Sequence, residues 1–148
     1  MIVAEAVRKH GDWSEAADTI TLDETARHRR RMHMVSDGGI AFLLDLPEAV
    51  LLADGDGLQL DDGRIIEVKA KPEPLYAVTG DSPRHLLALS WHLGNRHQAA
   101  EILEHRLLIR REPVLREMLI GLGATVEEVE APFHPEGGAY ANGHEHNH

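Results

Sequence analysis

A change in sequence pattern at residues 70–74 is the feature that most constrains the fold. This segment, A-K-P-E-P, carries two prolines, which interrupt both helices and central strands. Short apolar runs separated by turns precede it, whereas helical stretches alternate with strands after it. We therefore expect two domains, a β-rich N-terminal domain over residues 1–72 and a second domain over residues 73–135.

In the first domain, apolar segments of strand length are separated by turns rich in glycine and aspartate. Residues 36–39, S-D-G-G, are typical of a turn that closes a β-hairpin. Strands at this spacing predict a small sandwich or barrel. The predicted strands cover residues 2–7, 19–22, 32–35, 40–44, 50–52, 58–60 and 65–68.

The second domain shows helix signals at both ends of its first predicted helix. Ser82 is a candidate N-cap, Pro83 suits the first turn, and Gly94 with Asn95 forms a C-terminal stop. With a second helix over residues 113–122 and four predicted strands, the order is β-α-β-β-α-β. This is the ferredoxin-like arrangement, so the predicted fold class is α+β. The predicted strands cover residues 75–78, 102–104, 107–109 and 124–129.

Residues 136–148 are small and polar, and composition predicts a flexible, disordered tail. Its histidines alternate with other residues, at His144, His146 and His148, so the segment can wrap around a metal ion. A purification tag is usually an unbroken histidine run, and the interruptions by Glu145 and Asn147 favour a native chelating sequence.

Composition narrows the functional classes. The net charge of −10 argues against a nucleic-acid partner, because phosphate binding needs a basic surface. The absence of cysteine excludes disulfides and thiolate metal sites, and no apolar stretch is long enough for a membrane span. No export signal is evident in residues 1–9, so we expect a cytoplasmic protein. Eleven histidines make metal binding the leading hypothesis.

Two histidines, His92 and His97, flank the end of the predicted first helix. Five residues apart, they would lie on different sides of a continuous helix, so they are not an obvious chelating pair. A packing or capping role is the better interpretation of His92. One imidazole cannot hold a transition metal alone, but His97 becomes a credible ligand if a symmetry mate supplies its twin across a two-fold axis.

Other polar segments carry weaker signals. The basic run at residues 27–31, R-H-R-R-R, is best interpreted as a solvated strand edge, with docking to an acidic protein partner second. Residues 54–57, D-G-D-G, lack the later ligands of a calcium loop and predict a turn. Motifs of metalloproteases, serine hydrolases and nucleotide-binding enzymes are missing, so we expect no catalytic activity.

Residues 92–97, H-L-G-N-R-H, resemble a characteristic segment of the urease accessory proteins UreE. Residues 132–140, P-F-H-P-E-G-G-A-Y, are similar to a second stretch of that family, and a histidine-bearing tail follows them. The similarity covers the C-terminal half well. It is looser in the N-terminal half, where residues 55–58 and 63–68 carry it.

The resemblance implies a β-rich domain that binds a partner or peptide, followed by a ferredoxin-like metal-binding domain that forms a homodimer. It also implies Ni(II) delivery to urease through a GTPase partner of the urease maturation complex. On this pattern His97 is the metal ligand shared across the dimer axis, and His144, His146 and His148 are auxiliary ligands. Zn(II) or Cu(II) would compete for the same site.

One departure from the family pattern concerns a further H-x-H site that some members carry. The matching positions here are Arg111 and Pro113, neither of which can bind a metal through its side chain, so that site is expected to be missing. Two other functions stay open at this point. One is a metal buffer or sensor without a protein client, and the other is a peptide-binding assembly module in which metal is incidental.

Overall fold

The computed structural model describes residues 1–137 of the chain, which fall into two compact units. The first is Met1–Lys71, and the second begins at Pro72. Each unit has its own β-sheet. Within the described residues, no helix is long and apolar enough to cross a membrane.

The first unit is built on one six-stranded sheet, so it is not a two-sheet sandwich. The strand order is β2-β6-β5-β1-β4-β3, which leaves β2 and β3 at the two ends. The sheet curls around an apolar core that includes Phe42, Leu44, Leu58 and Ile66. The elements are β1 (Val3–Arg8), β2 (Asp18–Leu22), α1 (Glu24–Arg27), β3 (His28–Val35), β4 (Ala41–Leu51), β5 (Gly57–Leu60) and β6 (Ile65–Ala70).

Two details of this unit differ from the sequence-based expectation. The strand predicted at residues 50–52 is not separate, because β4 runs from Ala41 to Leu51 through Pro47. The β3–β4 register shifts between Arg29 and Arg31, so Pro47 lies where no ladder partner is needed, and a proline is tolerated there. The short helix α1 was also not predicted. It begins after Asp23, whose carboxylate accepts the N–H of Ala26 at 2.8 Å.

The second unit is a mixed α/β arrangement in which two helices pack on a four-stranded antiparallel sheet. Its strand order is β10-β7-β9-β8. Leu89 and Leu93 of the first helix and Leu115 and Leu119 of the second share one core cluster with the sheet. The elements are β7 (Glu73–Thr79), α2 (Pro83–Asn95), β8 (Glu101–Ile102), β9 (Leu107–Arg110), α3 (Pro113–Gly121) and β10 (Thr125–Ala131).

The local signals for α2 are confirmed. The Ser82 hydroxyl accepts the N–H of His85 at 3.0 Å, Pro83 opens the first turn, and the helix ends at Asn95. Both helices were placed within one residue of their observed ends. Strand β8 is shorter than predicted, with two residues.

The other face of the second sheet is covered by the segment that follows β10. Phe133 is fully buried there against Leu75, Ala77 and Leu108. The guanidinium carbon of Arg110 lies 4.9 Å from the centre of the Phe133 ring, within the range of a cation–π contact. The buried Phe133 side chain therefore holds residues 132–137 against the sheet.

Candidate metal centre

His97 lies immediately after α2 in a left-handed backbone conformation, with a φ of 55°. Its N–H donates to the carbonyl of Gly94 at 3.0 Å, and the N–H of Gln98 donates to the carbonyl of Leu93 at 3.0 Å. These two bonds are those of a Schellman motif, whose left-handed position usually holds glycine. His97 is the one non-glycine residue with positive φ in the described part of the chain. The two hydrogen bonds therefore keep His97 in a backbone conformation that residues with a β-carbon rarely adopt.

The side chain of His97 is exposed, beyond the last turn of the helix. Across residues 1–137, no three histidine, aspartate or glutamate side chains form a group that could hold a metal ion. The described part of one chain therefore presents a lone imidazole at this position, not a complete coordination shell. Borderline divalent metals need about four ligands or more.

His92 lies in the last turn of α2 and is half-buried. Its ring makes an edge-to-face contact with Trp91, with 5.1 Å between the ring centres. The structure thus places His92 on the helix and His97 beyond it, and gives His92 an aromatic packing contact.

Helix α2 has an exposed apolar surface on the turns that precede His97. The sequence pattern did not identify this surface as a functional feature. Leu87 is 70% exposed and Trp91 is 63% exposed, one helical turn apart. Gly94 continues this face with open space beside its backbone. The signal in the sequence was indirect. The core positions Leu89 and Leu93 leave these two large apolar residues on the other side of the helix.

The segment that precedes the histidine tail returns close to His97. The N–H of Glu136 donates to the carbonyl of Ala100 at 2.8 Å, and the N–H of His134 donates to the Glu101 carboxylate at 2.9 Å. Ala100 is only three residues beyond His97. The anchored segment therefore fixes where the tail starts, although His144, His146 and His148 themselves lie outside the described residues.

Arg111 and Pro113, the two positions at which the resemblance led us to expect no metal site, have structural contacts. The guanidinium of Arg111 donates to the carbonyls of Leu75 at 3.1 Å and Val129 at 3.0 Å, which ties β7 to β10. Pro113 occupies the first turn of α3. Arg111 also lies 3.4 Å from the carboxylate of Glu130.

The aspartates of residues 54–57 form a turn, as predicted. The Asp56 carboxylate is buried and accepts the N–H groups of Ala53 and His10, while Asp54 accepts the N–H of Ala70. Because these oxygens accept backbone hydrogen bonds, they brace the loop before β5, and the Asp56 carboxylate also lies 3.7 Å from the ammonium of Lys9.

The basic run at residues 27–31 is only partly a solvated edge. Strand β3, which carries most of it, is indeed an edge strand. Arg27, however, is fully buried, and its guanidinium donates to the carbonyl of Leu52 at 3.1 Å. The prediction that the whole run is solvated is therefore wrong for Arg27, because α1 turns this side chain inwards before β3 begins.

Comparison with known families gives matches over nearly the whole chain. The model for the N-terminal domain of the UreE urease accessory protein matches residues 2–71. The model for the C-terminal domain of the same protein matches residues 73–148.

Individual relatives agree with the family models. The chain is 65% identical over 150 residues to the urease accessory protein UreE of Chelativorans sp. (strain BNC1), covering 99% of this chain and 94% of that protein. It is 54% identical to the protein of the same name from Rhodopseudomonas palustris (strain HaA2), covering 98% and 68%. The corresponding Ruegeria pomeroyi protein is 47% identical, with 96% and 93% covered.

Proposed function

The chain belongs to the family of UreE urease accessory proteins, and from this premise we propose that it is a cytoplasmic nickel carrier and not an enzyme. In this role it delivers Ni(II) to the maturing urease active site through a GTPase partner. The relatives are named accessory proteins, which agrees with assistance to an enzyme made of other chains. The observation that carries the proposal is the exposed His97 imidazole on a rigid helix end, which offers one strong ligand and leaves the rest of the shell open.

A nickel ion bound to one His97 imidazole needs further ligands from outside the described part of the same chain. We propose a homodimer in which His97 of each copy binds one Ni(II) on the two-fold axis. The exposed Leu87 and Trp91 support this arrangement, because two such faces would bury large apolar side chains next to the paired imidazoles. Apolar area contributes about 25 cal/mol per Å² when it is removed from water.

The tail histidines are proposed as auxiliary ligands. Eight residues separate Glu136 from His144, a span of at most about 26–29 Å in an extended chain. The three residues from Ala100 back to His97 cover at most about 11 Å. Because Glu136 is bonded to Ala100, the tail starts close enough for His144, His146 and His148 to reach an ion at His97.

An incomplete shell suits a carrier. A closed four-ligand site holds its ion, whereas a site with exchangeable ligands passes the ion on by ligand replacement. Ligands that are tethered near the site by the chain raise the local ligand concentration. Imidazole sites discriminate poorly between metals, so Cu(II) and Zn(II) should bind the same site when nickel is absent.

We further infer that the second unit is ferredoxin-like. The order β-α-β-β-α-β along the chain and β10-β7-β9-β8 across the sheet supports this assignment, as does the packing of α2 and α3 into one cluster. Residues 94–97 at the end of α2 are exposed, so a second copy can approach them.

Isothermal titration calorimetry with Ni(II), combined with sedimentation, tests the shared site. We expect one tight ion per dimer, and we expect His97→Ala to lose it while remaining folded. Leu87→Glu should dissociate the dimer and lose the tight ion, because it places a charge in the proposed interface. Val114→Glu is the matched control, since Val114 is 71% exposed on α3, outside the proposed interface.

Two results would overturn this proposal. One tight ion per monomer would exclude the shared site, and so would unchanged tight binding in folded His97→Ala. A protein that binds nickel in this way but forms no complex with the urease GTPase would instead be a metal buffer or sensor.

A further inference from the structure

The curled sheet of the first unit leaves the edge of β3 open beside a groove whose other wall is β2. Within residues 1–137, strand β2 is paired only with β6, strand β3 only with β4, and the two are not paired with each other. A groove of about 190 Å³ lies between them. Its apolar lining comes from both strands and includes Ile20, Leu22, Met32, Met34 and Val35.

The backbone of β3 points unused hydrogen-bonding groups towards this open side. The N–H of Leu43 in β4 donates to the carbonyl of Ile2 at 2.9 Å, so it faces away from β3. Leu43 lies opposite His33, which makes this a pair without hydrogen bonds across the β3–β4 ladder. The N–H and C=O of His33 therefore point to the open edge, as do those of Val35 by the two-residue period.

The groove is held in shape at both ends. At one end, the N–H of Asp37 donates to the carbonyl of Thr19 at 2.8 Å, and the hydroxyls of Thr19 and Thr21 donate to the Asp37 carboxylate at 2.7 and 2.8 Å. At the other end, α1 connects β2 to β3, and Ala26 of this helix contributes to the lining. A ligand would thus meet a site whose two walls are already fixed relative to each other.

The charge along β3 is opposite to that of the whole protein. Arg29, Arg30 and Arg31 lie on this strand in a chain of net charge −10, and Arg30 and Arg31 are exposed. Arg31 lies 3.5 Å from the Asp45 carboxylate of β4, so Arg30 is the exposed arginine of this strand for which no carboxylate partner is seen in the described residues. Cations on an edge strand also repel another cationic edge, so they select against a second copy of β3.

We propose that an extended acidic segment of a partner protein binds as an additional strand along β3. Its backbone pairs with the outward groups of His33 and Val35, and its alternate apolar side chains enter the groove. Its carboxylates face the arginines of β3. This interaction involves neither His97 nor a metal ion, so it is separate from nickel carriage.

Fluorescence anisotropy with an eight-residue labelled peptide of alternating glutamate and valine tests this surface. We expect this peptide to bind the full chain. The same peptide with lysine in place of glutamate should bind at least about tenfold more weakly, because cross-strand charge pairs become repulsive. A glutamate–valine peptide with alternate amides N-methylated should not bind, because it cannot form the ladder.

Protein variants separate charge from backbone pairing. Arg30→Glu should weaken binding of the acidic peptide at least about fivefold, whereas Arg106→Glu makes the same charge change in the second unit and should leave it unchanged. His33→Pro removes an outward N–H that β4 does not use, and should also weaken binding.

Three outcomes would overturn the proposal. If the N-methylated peptide binds as tightly as the acidic peptide, charge attraction alone explains binding. If the lysine peptide binds as tightly as the acidic peptide, the arginines have no role, and if no peptide binds, β3 is not a docking edge. Nickel titration of Arg30→Glu should match the unmodified protein in every case. Failure here is therefore distinguishable from failure of the metal-carrier role.

Discussion

Replacing His97 with glycine should remove the proposed metal ligand and yet stabilise the protein. His97 occupies the left-handed position of a Schellman motif with a φ of 55°. A side chain with a β-carbon is disfavoured there by about 1–2 kcal/mol, whereas glycine is not. Glycine also makes the unfolded chain more flexible, which opposes the gain by about 0.5–1 kcal/mol. The net expectation is a gain of about 0.5–1 kcal/mol in the free energy of unfolding.

The variant His97→Ala is the matched control, because alanine removes the imidazole but keeps the β-carbon and its unfavourable contact. It should show no gain in stability. His97→Asn should fall between the two, since asparagine tolerates the left-handed region better than most residues. All three should lose the tight nickel ion.

Urea unfolding of the metal-free proteins, with a chelator present, measures the difference in the free energy of unfolding between the variants. The chain has two tryptophans, Trp13 in the first unit and Trp91 in the second, so a Trp13→Phe background reports on the second unit by Trp91 fluorescence. A gain of this size corresponds to about 2–8 °C in Tm for a domain of 60–100 residues. If the glycine and alanine variants unfold at the same urea concentration, the backbone at residue 97 is not strained and this reasoning is wrong.

Three further predictions follow from other parts of the structure. Deleting residues 143–148 should lower the number or affinity of bound nickel ions in calorimetry without changing the Tm of the metal-free protein, because the segment has no apolar side chain to bury. Phe133→Ala should cost about 3–5 kcal/mol in urea unfolding of the second unit, because it empties a fully buried site. The Thr19 hydroxyl holds the pKa of Asp37 below its ordinary value of 3.8, so this carboxylate stabilises the first unit above that pH and loses its contribution as the pH falls further. Thermal melts between pH 5 and 2.5 should therefore depend less steeply on pH in Asp37→Asn, and an identical slope would contradict the assignment.

The elements of the second unit were largely predictable because their signals are local. Ser82 and Pro83 start α2 through contacts within one turn, and Leu89 and Leu93 face the core through the helical period. The H-L-G-N-R-H segment also identified the family, which the matching models confirm. Its last residue, His97, is where the sequence alone placed the proposed metal ligand.

The first unit shows where local patterns fail. The sequence pattern predicted separate strands at residues 40–44 and 50–52, but β4 continues through Pro47 because the shifted register with β3 removes the need for a partner there. Arg27 appeared solvated, but a four-residue helix turns it into the interior. Both outcomes depend on which strand lies alongside, and that neighbour is distant in the sequence.

Sequence by itself therefore determined the family, the order of most elements and the histidine at the end of α2, because these depend on residues within a few positions of each other. Tertiary structure decided that Phe133 fixes the start of the tail near Ala100 and that β2 and β3 face a common groove. Each of these is a contact or conformation imposed by packing between distant segments. Hydrophobic burial and long-range strand pairing select such arrangements only when the whole unit folds.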